Sequence, residues 1–353
     1  MVKGFIFPVQ YIRPAGKDAI RIGISQPPID RIPYHAGQYI TLKVEIEGKT
    51  YFRSYSLSST PRLDTHLEIG VKRLPGGIVS TYLHDHLQEG DRLEFMRPAG
   101  RFYMETSTQT REHIVLIGGG SGITPLMSIL RAVLYQAPYS RVSLLYQNRD
   151  QASIMFAEEI DALKDRFSHR FNVRYMLSRP AVSLKADMQE GRLNAALVKG
   201  WLDELPRDEA LSRKYFLCGP LGLMDAARNG LLNSGVGEGQ IFQEKFVADE
   251  SITRRQAEWK GPSRVVTLKM GEQIGKIKVS PGSTILEAGL QQGMELPYSC
   301  KRGICSACMS RLKSGEVKMD DPEALLPFEI ENGRVLLCQA HPMTDDVEVE
   351  VGF

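Results

Sequence analysis

Apolar and polar residues alternate through the first hundred positions. KTYFRSYSLSS (49–59) and HLEIGVKR (66–73) place aromatic or aliphatic residues at every second position, the period of a half-buried strand. Turn-forming residues separate the runs at Pro75-Gly76-Gly77, Glu89-Gly90 and Pro98-Ala99-Gly100. Many short strands with regular turns predict an antiparallel β-barrel or sandwich over residues 1–107.

The pattern changes near residue 108. HIVLIGGGSGITPLMSILRAVL (113–134) reads as a buried strand, a glycine turn and a helix. RVSLLYQNRD (141–150), FNVRYMLS (171–178) and KYFLCGP (214–220) read as further strands, the last two followed by turns or polar segments. FAEEIDALKDRF (156–167) has helical spacing. Strands alternating with helices predict a parallel α/β sheet over 108–248. The polar stretch DESITRRQAEWK, ending at Gly261-Pro262, marks a linker over 249–262. In the third unit, 263–353, VVTLKMGEQIGKIKVS (265–280) reads as a hairpin. Thr284 and Glu287 have capping-box spacing at the start of the helix TILEAGLQQG.

The 353 residues suit two or three domains. A balance of 44 Lys+Arg against 42 Asp+Glu, net +2, argues against a general nucleic-acid binder. The even total conceals a split: residues 263–353 carry 10 basic and 13 acidic side chains, a net −3, against +5 for the remainder. Opposite signs favour docking of the last domain on the first two. At 42% hydrophobic and 24% charged, the chain is too apolar for disorder. No run approaches the ~20 apolar residues that span a bilayer. The apolar patch in MVKGFIFPVQYIR is interrupted by Pro8 and too short for a signal peptide. The expectation is a soluble cytoplasmic protein, not membrane-spanning, with oligomeric state open and a monomer compatible with it.

Four of the five cysteines fall near the C-terminus. Cys300, Cys305 and Cys308 are spaced C-x4-C-x2-C, and Cys338 follows after 29 intervening residues. That spacing is the plant-type 2Fe–2S pattern, since two irons need four thiolates and one compact loop can supply three. The small residues Gly303, Ser306 and Ala307 would let backbone N–H groups approach the cluster sulfurs. A structural zinc site is the other reading, although zinc sites use two close cysteine pairs and only one is present here. PYSCKRGICSACMSRLKSG followed by LLCQA resembles a plant-type ferredoxin domain, which implies a β-grasp α+β fold over 263–353.

Four further segments have candidate chemistry. On the strand RSYSLSS, Arg53 can pair with phosphate, Tyr55 can stack on a flat ring, and Ser56 can hydrogen-bond a ring nitrogen. LPGGIVS (74–80) can form an anion site at a helix start, or Ser80 can simply cap that helix. GGGSGITPLMS (118–128) lies between strand and helix, where a pyrophosphate needs close backbone approach, but Ile123 breaks the G-x-G-x-x-G spacing. Cys218 of Cys218-Gly219-Pro220 is either a small buried residue or part of a site.

In their order, RxYSLSS, GGIVS, PAGRF, GGGSGITP, CGP and a final Glu-x-Phe resemble the ferredoxin–NADP reductase superfamily. The resemblance implies a multidomain protein: a flavin β-barrel, a nicotinamide α/β domain and the ferredoxin. It assigns Arg53, Ser54, Tyr55 and Ser56 to FAD, with Gly77, Val79 and Ser80 at its pyrophosphate and Val71 and Lys72 at its edge. Gly118, Gly119, Gly120, Gly122, Thr124 and Pro125 would receive the dinucleotide, with Cys218, Gly219 and Pro220 at the nicotinamide and Phe246 near the flavin. Ser56, Cys218 and Glu244 are the expected catalytic residues, Glu244 as a proton relay or else a surface carboxylate. Arg149 and Ser153 would hold a 2′-phosphate and favour NADPH, whereas Asp150 as a ribose acid would favour NADH.

The order flavin, nicotinamide, ferredoxin is similar to that of oxygenase reductase components. The implied function is hydride transfer from NAD(P)H to FAD, then single electrons through the cluster to a terminal oxygenase, hydroxylase or desaturase. An electron-relay subunit of a fixed complex, with NAD(P)H oxidation secondary, is the alternative. Lys301 and Arg302 either meet an acidic partner or are solvated loop charges.

Overall fold

A computed structural model describes residues 4–206, 208, 210–246 and 261–351. Three sheets follow one another along the chain. The first contains β1 (Phe5–Gly16), β2 (Ala19–Ile24), β3 (Tyr39–Ile46), β4 (Lys49–Ser56), β5 (Leu67–Lys72) and β6 (Arg92–Phe95), with helix α1 (Ile78–Asp85) before the last strand. Its order is β4-β3-β6-β1-β2-β5, and every pair is antiparallel. A bridge between Leu57 and Ile69 joins the two edges, which makes the sheet a barrel. Its interior is filled by Ile22, Ile24, Ile40, Leu42, Leu57, Leu67, Ile69 and Phe95.

On β5 the period-two pattern does not translate into one wet face, because Leu67 through Val71 are all buried. The polar member is compensated: Glu68 accepts hydrogen bonds from Ser58 at 2.7 Å and Tyr11 at 2.6 Å.

The second sheet contains β7 (Glu112–Gly119), β8 (Arg141–Asn148), β9 (Phe171–Leu177), β10 (Met188–Glu190), β11 (Ser212–Gly219) and β12 (Ile241–Lys245). The order is β10-β9-β8-β7-β11-β12, all parallel. Helices α2 (Ile123–Gln136) and α3 (Ala157–Arg166) cover one face. The other face is covered by α4 (Ala195–Glu204) and α5 (Leu221–Asn233), where the sequence suggested only turns and polar segments. Asn194 caps α4 by accepting the Leu197 N–H at 2.9 Å, and Val198, Trp201 and Leu202 form its buried stripe. The strand order reverses between β7 and β11, so a crevice opens at their carboxyl ends.

The third sheet, ordered β14-β13-β19-β15-β17, contains β13 (Arg264–Met270), β14 (Gln273–Val279), β15 (Met309–Ser314), β17 (Arg334–Leu336) and β19 (Glu348–Val351). The strands β16 (Val317–Met319) and β18 (Ala340–Pro342) pair separately. Two helices, α6 (Ile285–Gln291) and α7 (Pro327–Glu331), complete this α+β unit. The capping box at α6 is present in both directions, Glu287 N–H to Thr284 at 3.2 Å and Thr284 N–H to Glu287 at 2.9 Å. Of the expected linker, 249–260 lies outside the described residues.

The barrel and the parallel domain are joined by an ionic knot. Arg131 of α2 forks onto Asp64 of the barrel with two bonds of 2.8 Å and reaches Glu159 of α3 at 3.3 Å. Arg21 of β2 meets the same Glu159 at 2.9 Å. Truncating Arg131 leaves Asp64 in a part-buried junction without its cation and Glu159 with Arg21 alone. Arg131→Ala is therefore expected to cost about 2–4 kcal/mol, at or below the range for fully buried pairs because the side chain keeps 18% exposure. Urea unfolding checks this, and Arg131→Lys should fall in between because an ammonium cannot fork.

Candidate functional site

The crevice at the switch point is where the glycine turn and the Cys-Gly-Pro segment meet. Cys218 pairs in register with Gly118, and Gly120–Gly122 form a 3-10 turn leading into α2. A Cβ on Gly122 would stand 2.1 Å from the Cys218 carbonyl oxygen, so only glycine permits this approach. Gly119 and Gly219 also lie against one another. Pro125 occupies the first turn of α2, where no N–H is required, and Pro220 is the N-cap of α5. The Thr124 hydroxyl donates to the Ser121 carbonyl at 2.9 Å and abuts Gly70 of β5, so the turn touches the barrel.

Ser56, at the end of β4, donates its hydroxyl to Glu244 of β12 at 2.7 Å across 188 positions of sequence. Glu244 is in register with Cys218 on the neighbouring strand. Burial pushes the Glu244 carboxyl up to about 8, and the Ser56 bond pulls it partly back. The Cys218 thiol is fully buried and pushed up first by burial and then by Glu244, so it stays a neutral thiol. The three expected catalytic residues therefore form one group. Phe246 packs beside them against the core that includes Phe216 and Cys218.

The flavin-side residues are placed as follows. Tyr55 is half-buried on β4, and burial pushes its phenol up. Arg53 donates to the Phe52 carbonyl at 2.9 Å with its guanidinium beside the Tyr51 ring. Ser54 shares its hydroxyl with Thr41 at 3.0 Å, while its N–H donates to Ser299 at 3.2 Å, so it faces the ferredoxin-like unit. At α1 the cap is Gly77, not Ser80. Ser80 lies inside the first turn, donating to the Gly77 carbonyl at 3.3 Å and accepting the Leu74 N–H at 3.2 Å. No side chain caps this helix start, and Val79 and Ser80 are buried there, a cradle that suits a flavin phosphate.

The Lys72 ammonium, expected at the flavin edge, lies 3.5 Å from where a Gly120 Cβ would stand, beside the glycine turn. Burial and then the Arg149 charge push Lys72 down, while the Asp18 and Asp150 charges pull it partly back. Ser153 does not offer a free hydroxyl. It accepts the N–H groups of Arg149 and Asp150 at 3.2 and 3.0 Å and donates to the Asp150 carbonyl at 2.7 Å. Asp150 turns a carboxylate oxygen back to the Ser153 N–H at 2.9 Å. Sequence reasoning passed over Asn148, buried at the end of β8 with both amide atoms lacking a hydrogen bond, which fits a missing dinucleotide partner.

The cysteine loop brings the four thiols together, Cys300 beside Cys305 and Cys338, and Cys338 beside Cys308. The Arg302 N–H donates to the Cys300 sulfur at 3.3 Å, and the Cys300 N–H to the Cys305 sulfur at 3.5 Å. Four thiolates with backbone donors suit a two-iron cluster. Gly303 has a different reason from the expected one: its φ is +76°, and a Cβ would collide with the Asp321 carbonyl oxygen at 2.0 Å. Lys301 lies over the Tyr298 ring at 4.6 Å.

A residue absent from the sequence reading joins this loop to the barrel. Tyr39, directly opposite Ser56 in the β3–β4 ladder, packs with Cys305, Ala307, Cys300 and Ala99. Its hydroxyl accepts the Ser306 N–H at 2.8 Å and shares a hydrogen with the Ser306 hydroxyl at 2.7 Å. The expected charge complementarity is present at the rim, where Lys245 meets Glu323 at 3.0 Å and Arg101 donates to the Glu323 and Leu325 carbonyls at 3.2 Å.

Family comparison agrees segment by segment. Residues 14–103 match an oxidoreductase FAD-binding domain, 116–229 an oxidoreductase NAD-binding domain, and 272–343 a 2Fe-2S iron-sulfur cluster binding domain, which removes the zinc reading. Among solved structures, phthalate dioxygenase reductase superposes with a TM-score of 0.59 at 21% identity over 99% of this chain and 98% of that one. Among curated proteins, the 3-ketosteroid-9-alpha-monooxygenase ferredoxin reductase component of Rhodococcus rhodochrous is 31% identical over 91% of this chain and 89% of its own. A component of the 1,2-phenylacetyl-CoA epoxidase of Escherichia coli K12 is 31% identical over 95% of this chain and 94% of its own. With all three domains matched and such relatives aligned almost end to end, the chain belongs to the oxygenase reductase components that unite FAD-binding, NAD-binding and 2Fe–2S domains.

Proposed function

We propose that this reductase moves electrons from NADPH to FAD at the Ser56–Glu244–Cys218 group and onward through a cluster held by Cys300, Cys305, Cys308 and Cys338. The observation that carries the reading is a single cross-strand pair. Ser56 bonds Glu244 of the parallel domain, and its partner Tyr39 bonds Ser306 of the cluster loop, so one rung of the barrel touches both other units. When bound, FAD takes a hydride and releases electrons one at a time, and the cluster carries them singly.

The protein's residues orient and enclose these groups. Arg53, Gly77, Val79 and Ser80 hold the flavin phosphates, and Ser54, Tyr55, Val71 and Phe246 frame the flavin. Ser56 donates to the flavin ring nitrogen when not engaged by Glu244. Gly118, Gly119, Gly120 and Gly122 admit the dinucleotide backbone, and Thr124, Pro125, Cys218, Gly219 and Pro220 place the nicotinamide. Glu244 holds a proton near the reacting face. The functional units are 1–107, 108–248 and 263–353, with 249–262 as linker.

NADPH is preferred in this reading because Arg149, whose charge acts on Lys72, can offer its guanidinium to a 2′-phosphate, while Asp150 is engaged in its own turn. Ser153 acts by shaping that turn. Arg149→Ala is then expected to raise the KM for NADPH about 10- to 100-fold, the loss of one charged hydrogen bond, with little change for NADH. Equal effects on both nucleotides would refute the preference.

The electron acceptor is a partner oxygenase, hydroxylase or desaturase, as the names of the relatives suggest. No helix among the described residues is long and apolar enough to cross a membrane. A cytoplasmic location belongs to the same reading, since thiolate ligands stay reduced there. Anaerobic titration of the FAD- and cluster-loaded chain with NADPH tests the whole. The flavin absorbance should bleach and the EPR signal of a reduced 2Fe–2S cluster should follow. No bleaching with either nucleotide would overturn it.

A further inference from the structure

We infer that Tyr39 is the positioning residue for electron passage from flavin to cluster, fixing the cluster loop against the barrel strands that carry the flavin site. The inference rests on the proposed function and adds to it the residue that sets the approach of the two centres.

The interface between the barrel and the last domain has an exposed rim and a buried centre. At the rim, Lys245–Glu323 and Thr50–Glu295 are solvent-exposed, and such contacts contribute little. The centre is Tyr39, 7% exposed, with Cys305 and Ala307 around its ring. Its backbone is held rigidly, since Tyr39 and Ala99 exchange both N–H···O bonds at 3.0 and 2.9 Å. Its hydroxyl meets two polar groups of Ser306, the N–H at 2.8 Å and the hydroxyl at 2.7 Å. Ser306 lies between the ligand Cys305 and Ala307, so any shift of this residue moves the cluster loop.

A second tie acts beside the first ligand. The Ser299 hydroxyl, one residue before Cys300, accepts the N–H of Ser54 on β4 at 3.2 Å. The two ends of the cysteine loop are thus attached to adjacent strands, one at the Tyr39–Ser56 rung and the other two residues along β4 at Ser54. Tunnelling weakens steeply with distance, so an attachment at this point affects the cluster-reduction step more than the hydride step.

The test uses the loaded full-length chain. Tyr39→Phe keeps the ring and its packing but deletes the hydroxyl. Loss of one or two hydrogen bonds of about 1 kcal/mol each should speed hydrogen exchange of the Ser306 N–H by about 5- to 30-fold. After rapid mixing with NADPH, cluster reduction read by freeze-quench EPR should slow at least about 5-fold on the same scale, while the flavin-bleaching phase is retained. Ser306→Ala should give a smaller effect, and the double variant should be no worse than Tyr39→Phe, because both changes delete the same contact. Additive losses in the double variant, unchanged exchange in Tyr39→Phe, or faster exchange with unchanged cluster reduction would each overturn the inference. Absence of the flavin phase in the parent chain would instead overturn the proposed function.

Discussion

Cys305→Ser is expected to remove the visible absorbance and EPR signal of the cluster and to lower electron delivery to a one-electron acceptor by more than about 100-fold. Changes to groups that merely support a metal ligand already cost up to about that factor. Replacing the ligand costs more, because a serine hydroxyl is not ionised at neutral pH and cannot match a thiolate on iron. Cys305 is a strong choice among the four. It is buried against Tyr39 and Ala307, and it receives the Cys300 N–H. Bleaching of the flavin by NADPH should persist, since Ser56, Glu244 and Cys218 reside on strands of the other two units. An unchanged spectrum in this variant would sink the ligand assignment. Loss of flavin reduction along with the cluster would show that the two halves of the site are not separable.

The parts legible in the sequence are those with short-range signatures. The glycine turn after β7 declares itself because strand, turn and helix are contiguous from His113 to Leu134. The capping box at Thr284 and Glu287 spans three residues and is found as drawn. The cysteine spacing is equally local. Other features were hidden for a physical reason. Tyr39 lies in a strand pattern like any other core aromatic, and its role depends on Ser306, 267 positions away. Of the two readings of the α1 start, the Ser80 cap fails because the backbone already turns at Gly77 and draws Ser80 inside the helix. Ser153 looked like a phosphate ligand by position, but a hydroxyl beside two free N–H groups satisfies them first. Helix α4 could have been found, since Asn194 precedes apolar residues at helical spacing.

Glu244 provides the second large effect, and its sign follows from burial. The carboxyl is pushed up from 4.5 to about 8, so at neutral pH it is mostly protonated and above pH 8 it ionises. A proton-holding acid at the reacting face contributes about 10²–10⁴-fold to rate, so Glu244→Gln should slow turnover with NADPH by at least about 100-fold. Glutamine still accepts the Ser56 hydroxyl bond, so the loss isolates proton transfer from geometry. In the wild-type chain the rate should change around pH 8, and in the variant that inflection should be missing. Stability gives an independent check. A carboxyl that prefers its protonated form when folded contributes stability fully present below pH 4.5 and lost as pH rises towards 8. The wild-type melting temperature should therefore decline relative to that of Glu244→Gln across this window, with the two curves parallel below it. A rate profile that keeps its inflection in the variant would assign the proton to another group. Melting curves that remain parallel to pH 8 would show that Glu244 is not held neutral at all.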